Sequence, residues 1–267
     1  MKRTIWYLLI VLTLSVTQSG CATLNNSNGS HQDDSKSVLQ KIKSIPNVTR
    51  VTVLKPTDHF TEHFEIWFEQ NIDPNNPSLG TFDQRVLLAH KSLDSAVIVE
   101  LQGYQIHSPK SGELATMFQA NQITIEHRFF ADSKPRGDIP WEHLTVRNAA
   151  TDQHIIIEAL KEAIYSENKF LSTGISKGGQ TTMLHRSYYP DDVDASVCYV
   201  APLNFEREDP RIYYFFDTVG TQEQRDQIEA FQYLCLDRKA EMIKLLKKKA
   251  DEKSRLGSCQ SSSASAD

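Results

Sequence analysis

Cysteine, net charge and long apolar runs are all scarce in this sequence, and each scarcity excludes a class of protein. The 267 residues include only four cysteines at irregular spacing, which excludes a disulfide framework and a cysteine-based metal cluster. A net charge of −5 gives no electrostatic case for binding nucleic acid or an anionic membrane surface. The 39% hydrophobic and 24% charged residues are typical of a globular protein with one good-sized core or two small ones.

The N-terminus has the pattern of an export signal. Lys2 and Arg3 precede the apolar stretch 5–16, which is shorter than the roughly 20 apolar residues of a membrane-spanning helix. The sequence then reaches Ser-Gly-Cys21, which resembles a bacterial lipobox, although Gln18 stands where an aliphatic residue is usual. We predict a signal peptide over 1–21 and export to the bacterial envelope with a lipid anchor at Cys21. Ordinary secretion to the periplasm or medium is the alternative.

Composition divides the rest of the chain into four parts. Residues 22–45 begin with a small, polar stretch and are predicted to be a flexible tether. Residues 46–205 carry the apolar patterns of a folded domain. Residues 206–253 are charged and have a helical apolar period. The serine-rich stretch 254–267 predicts a disordered tail.

Strand patterns dominate the first half of the folded domain and alternate with helical patterns in the second half. Strands are predicted first at 51–54, 64–68, 85–90 and 95–101. Further strands at 122–126, 170–173 and 195–200 then alternate with helices at 111–120, 149–167 and 178–189. Such alternation predicts an α/β fold with a mainly parallel sheet.

A Gly-x-Ser-x-Gly pattern, from Gly174 to Gly178, lies between one of these strands and the next helix. In this setting a serine hydrolase places its nucleophile, which makes Ser176 the candidate. Gly174 and Gly178 leave room for a sharp turn that points the serine outward, and Gly179 lets the helix and strand backbones approach. Ser176 also needs a base, yet no histidine lies beyond His185.

Several separated segments resemble one peptidase family. They are GTFDQRVLLAH (80–90), EHRFFADSKP (126–135), HLTVRNAATD (143–152) and the stretch 172–204. These segments resemble the secreted bacterial proline-specific tripeptidyl aminopeptidases, serine peptidases akin to prolylcarboxypeptidase and the lysosomal dipeptidyl peptidases. The likeness covers roughly residues 49–253. It implies an α/β-hydrolase fold with an inserted helical lid, of which 206–253 would be the start.

The resemblance also implies roles for individual residues. Ser176 would attack the scissile carbonyl of a peptide substrate with proline near its N-terminus. The backbone N–H of Lys177 would be one oxyanion donor, and Gly103 or Tyr104 would supply the second. No cofactor or metal is implied. The family's catalytic aspartate and histidine follow the lid and have no counterpart here, so we expect a form that is truncated before the last part of the hydrolase domain and inactive.

For several other polar residues, a structural role and a functional role are alternative interpretations. His185 lies nine residues along the helix from Ser176, so we predict a packing or surface role instead of that of a base. His127 is expected to make a structural polar contact. Glu126 is expected to pair with Arg128, the alternative being that it holds a substrate ammonium. Two last expectations are a solvated turn at Asp191, Asp192 and Asp194, and a buried Cys198.

Two functions remain open from the sequence. The first is an exported serine aminopeptidase that removes short peptides ending in proline. The second is a non-catalytic product or binding remnant of such an enzyme. They differ in whether Ser176 has a base.

Overall fold

The computed structural model describes residues 38–57 and 59–263, in two compact regions. We call the region ending at Pro202 the sheet region and the region beginning at Leu203 the helical region. Cys21 and the predicted signal peptide lie outside the described residues.

Seven strands form one mixed sheet in the order β1-β2-β3-β5-β4-β6-β7. They are β1 (Val48–Leu54), β2 (Glu62–Asn71), β3 (Thr81–His90), β4 (Val97–Leu101), β5 (Asn121–Ile125), β6 (Phe170–Ile175) and β7 (Ala195–Tyr199). The first three strands pair antiparallel, and β3 is also antiparallel to β5. The neighbouring pairs β5–β4, β4–β6 and β6–β7 are parallel. The predicted α/β fold with a parallel half is therefore confirmed.

Helices connect the parallel strands. In the sheet region, α1 includes residues 38–43, and it is followed by α2 (Glu113–Phe118), α3 (Val146–Ile164) and α4 (Lys177–Tyr188). The helical region contains α5 (Pro210–Thr218), α6 (Gln222–Asp237) and α7 (Lys239–Ser263). Across the described ranges, no helix has both the length and the apolar character needed to cross a bilayer.

The sheet carries an apolar core on each face. On one face, Ile156 and Leu160 of α3 pack with Phe64 and Val99. On the other face, Ile98 packs with small residues of and around α2. The two faces alternate along β4, as expected for a strand buried on both sides.

The order of the strands indicates where on the sheet a functional site is expected. After β4 the chain crosses through α2 to β5 on one side, and later through α3 to β6 on the other side. In open α/β sheets, ligands bind outside the carboxyl ends of the strands at such a reversal. The segments that follow β4 and β6 therefore meet where a site is expected.

Two predicted boundaries differ from the structure. Val38, Ile42 and Ile45 are buried in the core, so residues 38–45 belong to the folded region and not to the tether. Their apolar spacing fits a helix that packs on the sheet. At the other end, α7 continues to Ser263, so residues 254–263 form helix where a disordered tail was predicted.

Candidate active site

Ser176 occupies a strained turn between β6 and α4. It is exposed, and its backbone has φ 57° and ψ −120°, a conformation rarely adopted by a residue with a side chain. Its N–H donates to the Tyr199 carbonyl at 3.0 Å, and its own carbonyl accepts from the Gln180 N–H at 2.9 Å. These contacts fix the turn and leave the hydroxyl at the surface.

The glycines of the motif allow three backbone segments to meet closely. A Cβ on Gly174 would lie 2.3 Å from the Gly178 carbonyl oxygen, and a Cβ on Gly178 would lie 2.7 Å from the Leu101 oxygen. A Cβ on Gly179 would lie 2.6 Å from the Tyr199 oxygen. Real Cβ atoms do not approach backbone atoms so closely, so any larger residue would force β4, β6 and α4 apart.

The loop after β4 packs directly on the first turn of α4. A Cβ on Gly103 would lie 2.7 Å from Lys177 Cβ and 2.8 Å from the Gly178 nitrogen. The N–H of Lys177 is at the start of α4, where no preceding helical carbonyl can accept it. Gly103 and Tyr104 are the candidates for the second oxyanion donor. Their loop thus contacts the first turn of α4, which carries the first donor, the N–H of Lys177.

The side chain of Lys177 holds this loop through two aromatic rings. Its Nζ lies 4.5 Å from the centroid of the Tyr104 ring and 4.6 Å from that of Phe130. The two rings meet edge to face at 5.4 Å. Burial lowers the pKa of the Lys177 ammonium, and cation–π contacts of this length offset part of the desolvation.

His127 supports the same cluster and is uncharged near neutral pH. Its ring meets Phe130 edge to face, and its backbone N–H donates to the Tyr104 carbonyl at 3.0 Å. Its Nδ1 lies 3.0 Å from the Arg128 carbonyl oxygen. Burial lowers the pKa of His127 to about 4. The structural contact predicted for this histidine is confirmed.

The predicted ion pair between Glu126 and Arg128 is wrong. Arg128 is completely buried and pairs with Asp152 through two contacts, Nε to Oδ2 at 2.7 Å and Nη2 to Oδ1 at 3.0 Å. Glu126 instead accepts from the Ile106 N–H at 2.8 Å and from the Ser133 hydroxyl at 2.6 Å. In an extended segment, residues two positions apart point to the same side, so Glu126 and Arg128 were plausible partners. In the structure each side chain is buried next to a different partner, Arg128 beside Asp152 and Glu126 beside Ile106 and Ser133.

His185 is completely buried away from the elbow. Its Nε2 lies 2.9 Å from Asp192 Oδ2, and His154 Nδ1 lies 2.8 Å from Asp192 Oδ1. Burial alone would raise the pKa of the Asp192 carboxyl, but the hydrogen bonds from His185 and His154 outweigh it and lower the pKa. The packing role predicted for His185 is confirmed, and the solvated position predicted for Asp192 is wrong.

The other members of that turn, Asp191 and Asp194, are exposed as predicted. Asp194 pairs with Lys169 at 2.7 Å and accepts from the Phe170 N–H at 2.9 Å. Cys198, predicted to be buried, is exposed because it lies on β7, the outermost strand of the described sheet. Across the described residues, no group of His, Cys, Asp and Glu side chains is arranged to hold a metal ion.

One acidic residue near the elbow escaped the sequence analysis. Glu100 lies within β4, between Val99 and Leu101, which are both fully buried. A carboxylate inside an apolar strand was the available signal, because glutamate is mostly fully exposed in proteins and rarely stands between two buried aliphatic residues.

A serine on a strained strand–turn–helix elbow, at the carboxyl edge of a mixed sheet with helices on both faces, defines an α/β-hydrolase fold. The sequence profile of the PS-10 peptidase S37 family matches residues 33–262. The chain belongs to this family.

A relative with an assigned activity is a prolyl tri/tetrapeptidyl aminopeptidase from Streptomyces mobaraensis. The chain is 35% identical to it over 217 residues, which are 80% of this chain and 44% of that protein. The chain thus spans less than half of the relative's length.

Solved structures show weaker likenesses. Acetyl xylan esterase 1 from Thermoanaerobacterium sp. JW/SL YS485 is 10% identical with a TM-score of 0.43, over 73% of this chain and 69% of that one. A post-proline cleaving enzyme from Rickettsia typhi is 15% identical with a TM-score of 0.39, over 53% of this chain and 21% of that one. Such values carry no argument about function.

Proposed function

We propose that this chain carries the nucleophile and oxyanion site of an exported serine aminopeptidase that releases short peptides ending in proline. The observation that carries the proposal is the exposed Ser176 on its strained elbow, with the N–H of Lys177 beside the loop at Gly103. The proline specificity rests on the family and on the activity named for the Streptomyces relative.

In this proposal Ser176 Oγ attacks the carbonyl carbon of proline and forms an ester with it as the bond to the next residue's nitrogen breaks, which releases that residue as the leaving amine. The negative charge that develops on the carbonyl oxygen is stabilised by the N–H of Lys177 and by a second N–H from Gly103 or Tyr104. One such preorganised donor typically lowers the barrier by about 3–4 kcal/mol. The ring contacts of Lys177 keep the two donor segments together before substrate arrives.

We further propose that this chain by itself is a slow catalyst. Among the described residues, none makes a hydrogen bond with Ser176 Oγ. The two candidate histidines have other partners, since His185 bonds to Asp192 and His127 bonds to a backbone carbonyl. Without a base the hydroxyl stays neutral and the leaving amine lacks an acid. An oxyanion hole and binding alone leave an acceleration of roughly 10³–10⁴ over water.

The same observation supports the second candidate, a protein that binds peptides without turning them over. Both candidates use the same site, but the peptidase cleaves the bound peptide and the binding protein releases it uncut. A fluorophosphonate probe distinguishes them, because it reacts with a nucleophilic serine and leaves an inert one unmodified.

The test compares the wild type with Ser176→Ala, and with Ser187→Ala as a control in which an exposed serine of α4 is removed. Slow labelling is expected in the wild type and in Ser187→Ala, mapped to Ser176 by mass spectrometry, with none in Ser176→Ala. Labelling that survives Ser176→Ala would remove the nucleophile assignment. Rapid cleavage of a proline-ending tripeptide amide that both Ser176→Ala and His185→Ala abolish would instead make His185 the base.

The proposed site of action is the bacterial envelope. Acylation of Cys21 would anchor the protein, and one acyl chain or more would then hold it at the membrane surface. Labelled palmitate should be incorporated by the wild type and lost in Cys21→Ser. Equal labelling of both would leave ordinary secretion as the route.

A further inference from the structure

Glu100 is a partly buried carboxylate that lines a cavity open to solvent. Its oxygens accept from two side-chain amides, Gln102 Nε2 at 3.0 Å and Gln122 Nε2 at 3.2 Å. Within the described part of the chain, no Lys, Arg or His nitrogen lies within 4 Å of the carboxylate. Burial raises the pKa of Glu100, against the hydrogen bond from Gln102 and the charge of Lys110. A carboxylate that is partly removed from solvent and has no contacting cation loses favourable solvation, and a cationic ligand would offset that loss.

The cavity has a volume of about 210 Å³ and reaches the elbow. Its wall includes the loop 102–110 and Ile175, which directly precedes Ser176. Thr124 and Gln105 add polar groups beside Glu100. The cavity therefore starts next to both the nucleophile and the loop that carries the candidate oxyanion donor.

Three basic residues also line this cavity, and none of them contacts Glu100. They are His63, His107 and Lys110. His63 is only 3% exposed and its Nδ1 has no partner among the described residues, while burial lowers its pKa. It lies on β2, three strand spacings or about 14 Å from β4, so it marks the far end of the cavity as a second polar point for a ligand.

The strand register sets the distance between Glu100 and the nucleophile. Glu100 is paired with Thr173 across the parallel strands β4 and β6. Ser176 follows Thr173 by three residues, which is about 10 Å along the strand direction. Three extended residues of a peptide span the same length, about 10 Å.

We propose that this cavity binds the N-terminal ammonium of a peptide whose third carbonyl lies at Ser176, and that Glu100 is the group that selects it. This inference rests on the proposed function and adds the residue that sets the length of the released peptide. A free α-ammonium pairs with the Glu100 carboxylate. An acetylated N-terminus brings no charge and leaves the carboxylate unpaired.

Glu100 is better placed than Glu126 to bind an ammonium group. Glu126, the acidic residue that the sequence suggested for an ammonium, has both carboxylate oxygens occupied by the Ile106 N–H and the Ser133 hydroxyl and is fully buried. Glu100 also accepts one side-chain amide hydrogen bond on each oxygen, but unlike Glu126 it is only partly buried and lines the cavity. A carboxylate has about four acceptor positions. It therefore retains capacity for an ammonium group.

The experiment measures binding, so that it does not depend on turnover. The full chain carrying Ser176→Ala is titrated by calorimetry at pH 7 with Ala-Ala-Pro amide and with its N-acetyl form. We expect the free amine to bind about tenfold to a hundredfold more tightly, the range that one hydrogen-bonded charge supplies. Adding Glu100→Gln should remove most of that preference by weakening the free peptide and leaving the acetylated one unchanged.

Glu162→Gln is the matched control, since it removes the same charge from an exposed position on α3, a helix on the other face of the sheet. It should keep the full preference. Glu100→Asp, which keeps the charge on a shorter side chain, should keep part of it and guards against a loss caused by misfolding. The proposal is overturned if the Ser176→Ala chain does not distinguish the two peptides, or if Glu100→Gln weakens both equally. Fluorophosphonate labelling of the wild type and of Glu162→Gln tests the nucleophile separately: absent labelling would remove the proposed function, whereas labelling with no preference for the free amine would remove only the role of Glu100.

Discussion

The sheet region and the helical region contain similar kinds of apolar side chains but treat them in opposite ways. In the sheet region, aromatic and branched residues such as Phe64, Ile98 and Ile123 are almost completely shielded. In the helical region, Phe205, Phe216 and Phe231 are all more than half exposed, and no described apolar side chain there is buried. Apolar character alone therefore does not make a core. In the sheet region, the strands and the helices packed on them bring together residues from distant parts of the chain.

The helices of the helical region are instead specified locally. Asp209 caps α5, with Pro210 at its first position, and Thr221 and Gln224 form a capping box at α6. These signals act within a few residues and require no packing partner. The comparison separates two sources of structure, burial in one region and local hydrogen bonding in the other.

The largest expected difference between the regions is the cost of removing a phenylalanine side chain. Phe64→Ala should destabilise the sheet region by about 3–5 kcal/mol, because it opens a cavity in a shielded core. Phe231→Ala should change stability by less than about 0.5 kcal/mol, because that side chain already contacts solvent. Urea denaturation followed by near-ultraviolet circular dichroism measures both. Equal costs would mean that α6 is packed in solution.

Acidification should also act on the two regions differently. Burial lowers the pKa of His90 and of His127 to about 4, so both are neutral in the folded protein at neutral pH. As the pH falls below about 6.5, the unfolded chain takes up these protons first, and stability is lost until the pH reaches about 4. The loss should approach about 3 kcal/mol for each histidine. The helical region contains no histidine and should not change between pH 6.5 and 5.

Segment-resolved hydrogen exchange checks this prediction. Protection in β3 and β5 should fall steeply between pH 6.5 and 4 after correction for the intrinsic exchange rate. His90→Gln should reduce the slope, whatever its effect on stability at pH 7. An unchanged slope in that variant would show that folding does not lower the pKa of His90.

Backbone strain is a third difference. All described non-glycine residues with positive φ lie in the sheet region, including Phe129 and Ala131 beside the ring cluster and Ser176 itself. In the helical region the only described residue with positive φ is Gly220. Ser176→Gly should therefore stabilise the protein by about 1 kcal/mol, as released strain exceeds the entropy of glycine. Gly220→Ala should destabilise the start of α6, since alanine is strained at φ 71° and its Cβ would displace Gln224 Oε1, which accepts the Thr221 N–H in the capping box.

Denaturation midpoints of these two variants measure the difference in sign. Destabilisation by Ser176→Gly would mean that the serine side chain makes a stabilising contact that outweighs the strain of its turn. A gain in stability on losing the nucleophile would instead indicate that the elbow stores strain for its function.

The sequence was sufficient where the signals are local. The elbow at Ser176 was predicted because its glycines, strand and helix are consecutive, and the crossover pattern predicted the parallel half of the sheet. Partners distant in sequence were missed. Arg128 and Asp152 are 24 residues apart, and His154 and Asp192 are 38 apart. Such groups come together only because α3 and α4 pack beside the sheet, and the apolar periodicity of the sequence does not predict which helices pack next to each other. Glu100 was missed for the same reason, since its cavity is lined by residues of five strands and a loop.

Helix caps give the smallest expected effect and the sharpest test of the comparison. Thr145 caps α3 in the sheet region and Thr221 caps α6 in the helical region, each by accepting the N–H of a residue in the first turn. Replacing either with alanine should cost about 1 kcal/mol locally. Because α3 is part of the packed core, Thr145→Ala should lower the midpoint of global unfolding. Thr221→Ala should leave that midpoint unchanged and speed amide exchange in the first turn of α6, which depends on its own cap. A lowered global midpoint in Thr221→Ala would show that the two regions unfold together, and the contrast between burial and local bonding would then not extend to their stability.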